Sequence, residues 1–171
     1  MKGASTGLNL TPREYLEMLT EEYRDYQEDW HAKHYKVSMR KAINCCGLSN
    51  AMPEIILVHY GRTDPEKVHR VKNEDAYRKH LRKQSEAHHT VRDICDYSKH
   101  AKLDRKSVSV KKAELIKLTK GSPIGFLLTL THAHDAEWLA IRHKDGRVES
   151  MDEVLKQVTT SWKTIFDQDK L

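Results

Sequence analysis

Four residues between positions 89 and 100 have the side-chain types and spacing of a proton-transfer or metal site. On a helix that turns about 100° per residue, His89, Asp93, Asp96 and His100 fall within roughly 60° of one another. We call these four residues the His/Asp stripe. A carboxylate beside an imidazole favours the charged ring, which suits a general acid or base. Such i, i+4 pairs also occur on solvated helix faces, where each stabilises the helix by only ~0.2–0.5 kcal/mol, so both interpretations stay open.

Two cations accompany the stripe and indicate which reaction it could support. Arg92 and Lys99 lie at its edge, where either could hold a phosphate while a ribose 2′-hydroxyl attacks in line without a metal ion. We therefore predict His100 as the general acid/base and Arg92 or Lys99 as the phosphate-stabilising cation. Asp93 or Asp96 is the predicted orienting carboxylate.

A metal site is the competing interpretation, because the chain contains 11 histidines. His31 and His34 share a predicted helix face, while His132 and His134 share a predicted strand face that His143 could join from a neighbouring strand. A zinc site needs three or four converging ligands, and no spacing in the chain supplies them. We predict neither a metal nor another cofactor.

The distribution of positive charge predicts a polyanionic partner. The 171-residue chain has a net charge of +5, and its cations cluster between Lys67 and Lys120. Such clustering beside the stripe fits RNA or another polyanion, although solvated helix faces would give the same pattern. The predicted nucleic-acid-binding residues are Arg78, Lys79, Arg82, Lys83, His89, Lys102 and Arg105.

Two resemblances involve the same segment. Residues Val91–Leu103 resemble a signature, RD-x2-(D/N)-x2-KH-x2-L, of small and mostly uncharacterised bacterial and phage proteins. More loosely, Arg92 followed by a polar residue, with His100 on the same helix, resembles HEPN domains. That resemblance implies a dimeric, metal-independent ribonuclease of toxin–antitoxin or phage-defence systems. Seven residues separate Arg92 from His100, which is more than is usual in that family.

The first half of the chain must supply helices that support the stripe. Thr11-Pro12-Arg13-Glu14 is a capping-box start, and the apolar spacing that follows predicts a helix to about Glu28, with continuation beyond it left open. A second helix is predicted from Tyr35, ending or bending near Gly47 and restarting around Pro53. Within it, residues 55–58 are apolar enough to be buried on all sides, and a strand is an open alternative.

The second half mixes helix and strand signals. A helix is predicted from Asn73 through His100 with a break near His88. Alternating and β-branched runs then predict two or three antiparallel strands between about 107 and 143. A capping box at Ser150 begins a closing helix over 151–167, whose apolar face should bury Trp162.

These elements predict a mainly α (α+β) fold: a helical bundle with a small antiparallel β-ribbon inserted before the C-terminal helix. Residues 1–9 read as a flexible tail and residues 10–171 as a single domain. No run approaches the ~18 apolar residues of a membrane span. Without a signal core, and with an odd number of cysteines, the chain fits a cytoplasmic protein with reduced thiols.

Three functional hypotheses remain. The first is a HEPN-like, metal-independent ribonuclease that cleaves RNA by 2′-hydroxyl attack. The second is a non-catalytic nucleic-acid- or protein-binding module, such as an adaptor, antitoxin or phage-encoded inhibitor, that uses the basic middle segment. The third is a structural partner that assembles through the tyrosine-rich first helix, which is more often a core element or the seam of a homodimer than a base-stacking platform.

Overall fold

A computed structural model describes residues 10–99, 110–117 and 137–171, with side chains for 10–96, 110 and 139–171. Several predictions lie outside the described residues: the flexible tail at 1–9, His100, Lys102, Arg105, and the histidines at 132 and 134. The side chain of Lys99 is also outside them.

The described residues form a mainly α fold with a small antiparallel sheet before the last helix, which confirms the predicted fold class. The helices are α1 (Pro12–His31), α2 (Tyr35–Tyr60), α3 (Glu74–Gln84), α4 (Ala87–Lys99) and α5 (Met151–Gln168), with a short 3-10 turn at Pro65–Val68.

Helix α1 begins where its sequence predicts. The Thr11 hydroxyl accepts a hydrogen bond of 3.2 Å from the Glu14 amide, and the Glu14 carboxylate accepts one of 2.7 Å from the Thr11 amide. This reciprocal pairing satisfies amides that the first helical turn leaves without backbone acceptors. The helix continues past Glu28 to His31, which is the extension that the sequence left open.

Helix α2 differs from its prediction at two points. It runs without interruption through Gly47 and Pro53, so neither residue ends it. Residues 55–58 are helical, which excludes the strand alternative. They are also not buried on all sides: Ile56 is buried, whereas Val58 is 78% exposed. A helix on the surface of a bundle must turn one side to solvent even where its sequence is uniformly apolar.

The predicted long helix from Asn73 to His100 is two helices. Ser85 has an extended backbone (φ −152°, ψ 127°) that ends α3, and its hydroxyl accepts the Ala87 amide at 3.3 Å as α4 begins. The break therefore comes before the predicted position at His88. Serine favours such a junction because its side chain competes with the helix for backbone amides.

The sheet has the strand order β1 (Val110–Lys117), β2 (Glu137–His143) and β3 (Val148–Ser150), with both pairs antiparallel. The predicted ribbon ended at His143 and so omitted β3. Gly146, at φ 90°, forms the turn between β2 and β3 in the left-handed region that favours glycine. Strand β3 leads directly into α5, because Ser150 is also the N-cap whose hydroxyl accepts the Asp152 amide.

The buried side chains of the described helices pack into a single core cluster together with strands β1 and β2. Trp162 is fully buried in it, as predicted, and Tyr26 places the aromatic side of α1 in the core. Cys45, Cys46 and Cys95 are buried thiols. Burial raises the pKa of Cys45 to about 12 and that of Cys46 well above its ordinary value. Among the described helices, none combines the length and apolar character needed to cross a bilayer.

Candidate anion-binding cleft

A cleft of about 490 Å³ opens between α2, α3 and α4. It brings together five residues that the sequence singled out from separate observations: Arg78, Lys79 and Arg82 on α3, and His89 and Arg92 on α4. The full lining is Ser49, Pro53, Asp75, Arg78, Lys79, Leu81, Arg82, His88, His89 and Arg92.

Arg78 holds the cleft together. Its guanidinium donates to Glu74 Oε1 at 2.6 Å, to Asn50 Oδ1 at 2.9 Å and to the Asn50 carbonyl at 2.6 Å. Its side chain is 14% exposed. A charge-assisted network of this kind ties α3 to α2. Arg78 is thus committed to the protein, so its main role is to position α3.

The more accessible cations form the outer wall. Arg82 is 47% exposed and meets Glu86 through two parallel hydrogen bonds of 2.9 and 2.8 Å. These bonds raise the pKa of the Arg82 guanidinium. Arg92 Nη2 lies 3.6 Å from Asp75 Oδ1, and that aspartate is 79% exposed. Lys79 is exposed, and no salt bridge is recorded for it among the described residues.

The inner wall continues into the core. His88 Nε2 shares a hydrogen bond of 2.9 Å with Ser161, and its ring meets Trp162 edge to face at 4.7 Å. The Trp162 indole donates to the Ser49 hydroxyl at 2.9 Å. Desolvation, and then the charge of Arg78, lower the pKa of His88 to about 4. His88 is therefore neutral at physiological pH and offers hydrogen bonding but no positive charge.

Two residues of the His/Asp stripe, His89 and Asp93, are buried. Asp93 is fully buried, and its carboxylate accepts the Val110 amide at 3.2 Å, which joins α4 to β1. His89 is 8% exposed, and its Nε2 lies 3.8 Å from Asp93 Oδ2. This burial excludes the solvated-face interpretation for these two residues. Asp96 is half-buried on the same helix.

Among the predicted residues whose side chains the structure describes, Lys83, Asp93 and Asp96 are not part of the cleft lining. Lys83 is exposed on α3, and Lys99 is the last residue of α4. His100, Lys102 and Arg105 lie outside the described residues, as noted above. In the part of the chain that the structure describes, no group of three or more His, Cys, Asp or Glu residues is placed to hold a metal ion.

Sequence reasoning missed Ser49, Asp75 and His88 as lining residues. Ser49 lies on α2, far along the chain from α3 and α4, and only the packing of helices places it there. The sequence does contain a signal for Asp75, because this residue precedes the cations of α3 by less than two turns of the same helix. His88 adjoins His89, but its sequence context predicts only a helix break near it.

No protein-family model matches this chain, and comparison with curated proteins and with solved structures likewise found no match. Function is therefore inferred from the residues that line the cleft.

Proposed function

We propose that this protein binds a phosphate-bearing polyanion, with RNA as the expected ligand, in the cleft between α2, α3 and α4. The observation that carries the proposal is the convergence of three cations from two helices on one opening: the exposed Lys79 and Arg82 from α3, and the partly exposed Arg92 from α4.

The acidic partners of these cations do not prevent binding. Glu86 and Asp75 are 45% and 79% exposed, respectively. Exposed ion pairs contribute only about 0–1 kcal/mol each, because water screens them. A phosphate can therefore take over Arg82 or Arg92 at small cost, while Lys79 adds a further cation. Phosphate contacts of this kind dominate the affinity of nucleic-acid complexes.

The lining predicts recognition of the backbone and not of the bases. None of the described lining residues is Trp, Tyr or Phe. These are the side chains on which proteins that bind single-stranded nucleic acids stack the bases. The apolar members, Pro53 and Leu81, are themselves buried. Binding should consequently depend on salt far more than on base sequence.

The direct test measures binding of a fluorescent single-stranded RNA by anisotropy across a salt series. If Lys79, Arg82 and Arg92 each contact one phosphate, the log–log salt slope should be about −2, which lowers affinity about 20-fold between ~50 and ~200 mM salt. Lys79→Glu/Arg92→Glu should remove most of that dependence. A DNA of the same sequence should bind comparably, because phosphates are the groups contacted.

A charge-matched control separates the cleft from bulk charge. Lys156→Glu/Lys163→Glu reverses two exposed lysines on α5, outside the cleft, with the same change in net charge. This variant should bind RNA nearly as well as the parent. An equal loss in both double variants, or no binding by the parent at low salt, would refute the proposal.

Ribonuclease activity is a second candidate, favoured by one specific observation. His89 and Arg92 line the same cleft, and His89 lies 3.8 Å from the Asp93 carboxylate, so a base and a phosphate-binding cation share one opening. His100, the predicted acid/base, follows on the same segment. Such a set could deprotonate a ribose 2′-hydroxyl and stabilise the transition state without a metal.

The ribonuclease proposal is tested by incubating the protein with labelled RNA in the presence of EDTA. Cleavage by the parent, lost about 10²- to 10⁴-fold in His100→Ala, would support it. Arg92→Ala should cost more activity than Lys99→Ala if Arg92 is the phosphate-binding cation. If the parent binds RNA but leaves it intact with and without EDTA, the protein is a binding module.

A further inference from the structure

The exposed side of α2 contains a glycine that none of the described residues explains. Gly47 lies inside the helix, where glycine is among the least favourable residues. It is exposed, and a Cβ built on it would have no atom of a described residue within 4 Å. Within the described part of the chain, no packing neighbour and no unusual backbone angle requires glycine at this position. What glycine does permit is close approach by another backbone from outside.

Two exposed apolar side chains and the half-buried Ala51 surround Gly47 on the same face. At 100° per residue, Ile43, Ala51 and Val58 lie within about 40° of Gly47 on the helical wheel. Ile43 is 42% exposed and Val58 is 78% exposed. The cleft-facing Ser49 lies about 160° away, so this face and the cleft are on opposite sides of α2.

The same face has unused charges of opposite sign at its two ends. Arg40 and Glu54 are both exposed, and among the described residues neither has a recorded salt bridge. They are equally distant from Gly47, one toward each end of the helix. An antiparallel copy of α2 centred on Gly47 would therefore place Arg40 of each copy at the level of Glu54 of the other, which gives two equivalent pairs of opposite charge. The same alignment sets the large Ile43 at the level of the small Ala51.

We propose that a second copy of this chain packs antiparallel on this face, as a two-fold symmetric dimer in which the α2 helices meet at Gly47. A self-complementary patch is what such an isologous interface requires. Gly47 allows the two backbones to approach, and Ile43 of one copy fills the space above Ala51 of the other. The charge pairs at the ends select the antiparallel alignment. None of the residues of this face lines the cleft, so the proposal does not rest on the RNA-binding function.

Sedimentation equilibrium of the full chain across a concentration series tests the proposal. The parent should show a concentration-dependent dimer. Gly47→Leu should weaken dimerisation by about tenfold or more, because a side chain at the centre of an interface keeps the backbones apart. Gly47→Ala should weaken the dimer and yet raise the urea midpoint of the monomer, because alanine is the better helix former. That opposite pair of effects would not arise from a merely structural glycine.

A charge swap keeps the proposal falsifiable without changing Gly47. Arg40→Glu and Glu54→Arg should each weaken the dimer, because each places like charges together. The double variant Arg40→Glu/Glu54→Arg should restore it. A parent that stays monomeric throughout the series, a Gly47→Leu variant that dimerises normally, or a double swap that fails to restore association would each overturn the proposal.

Discussion

His88 should make the fold sensitive to mild acid. In the folded protein its pKa is lowered to about 4 from an ordinary value of 6.5, mainly because the ring is desolvated between Ser161 and Trp162. The unfolded chain therefore takes up this proton more readily than the native state. Stability from this residue is fully present above about pH 6.5 and is lost progressively as the pH falls toward 4.

The size of the stability loss follows from the pKa shift of His88. Each pKa unit corresponds to about 1.4 kcal/mol, so a full shift is worth about 3 kcal/mol. At about pH 5, where the native ring is still mostly neutral, the linkage relation gives a loss of about 2 kcal/mol relative to pH 7. For a protein of this size, that loss lowers the urea midpoint by about 1 M.

The assay is urea unfolding at pH 7 and pH 5, followed by far-ultraviolet circular dichroism. His88→Gln keeps a polar group beside Ser161 but cannot titrate, so its midpoint should fall by about 1 M less than that of the parent. His31→Gln, at an exposed position of α1, should behave as the parent does. If His88→Gln and the parent lose equal stability between the two pH values, the assignment of this acid sensitivity to His88 is wrong.

Other expected effects arise from the cleft and the core. Asp75→Asn should raise RNA affinity about two- to fivefold, measured by anisotropy, because it removes the acid that competes for Arg92. Asp93→Ala should lower the free energy of unfolding in urea by about 2 kcal/mol, because the first amide of β1 loses its buried acceptor. Ser49→Ala should cost about 1–2 kcal/mol in the same assay, because the buried indole of Trp162 is left unpaired.

Conservative variants provide the controls for these three effects. Glu17→Gln removes an acid away from the cleft and should leave RNA affinity unchanged. Asp93→Asn keeps an acceptor oxygen and should cost less stability than alanine, and Ser49→Thr keeps the hydroxyl and should lie closer to the parent than Ser49→Ala. Indistinguishable results for a variant and its control would contradict the corresponding explanation.

Features set by neighbouring residues could be predicted from the sequence. The starts of α1 and α5 were predictable because Thr11 and Ser150 satisfy amides only two or three residues away. The burial of Trp162 followed from helical periodicity. The convergence of Lys79 and Arg92 could not be derived, because the end of α3 and the fold-back of α4 determine it.

Contacts between distant residues could not be predicted. Arg78 looked like one more surface cation, and its partner Asn50 lies on another helix. Likewise, the sequence around Asp93 is that of a solvated or catalytic carboxylate. The amide that donates a hydrogen bond to it belongs to a strand that follows later in the chain. In both cases an ionic side chain has a structural role that composition and spacing do not distinguish from a functional one.

The buried thiols allow local opening of the protein to be measured by thiol labelling. Cys46 on α2 and Cys95 on α4 are both nearly or fully buried, and they are close enough to interact electrostatically. A thiol reagent reacts with the thiolate, so it can modify these residues only when α2 and α4 separate and the thiols ionise. The labelling rate therefore measures the free energy of opening at the two helices that form the inner part of the cleft. A ligand bound there should slow labelling by the same factor by which it stabilises the closed form, so occupancy can be followed without labelling the ligand.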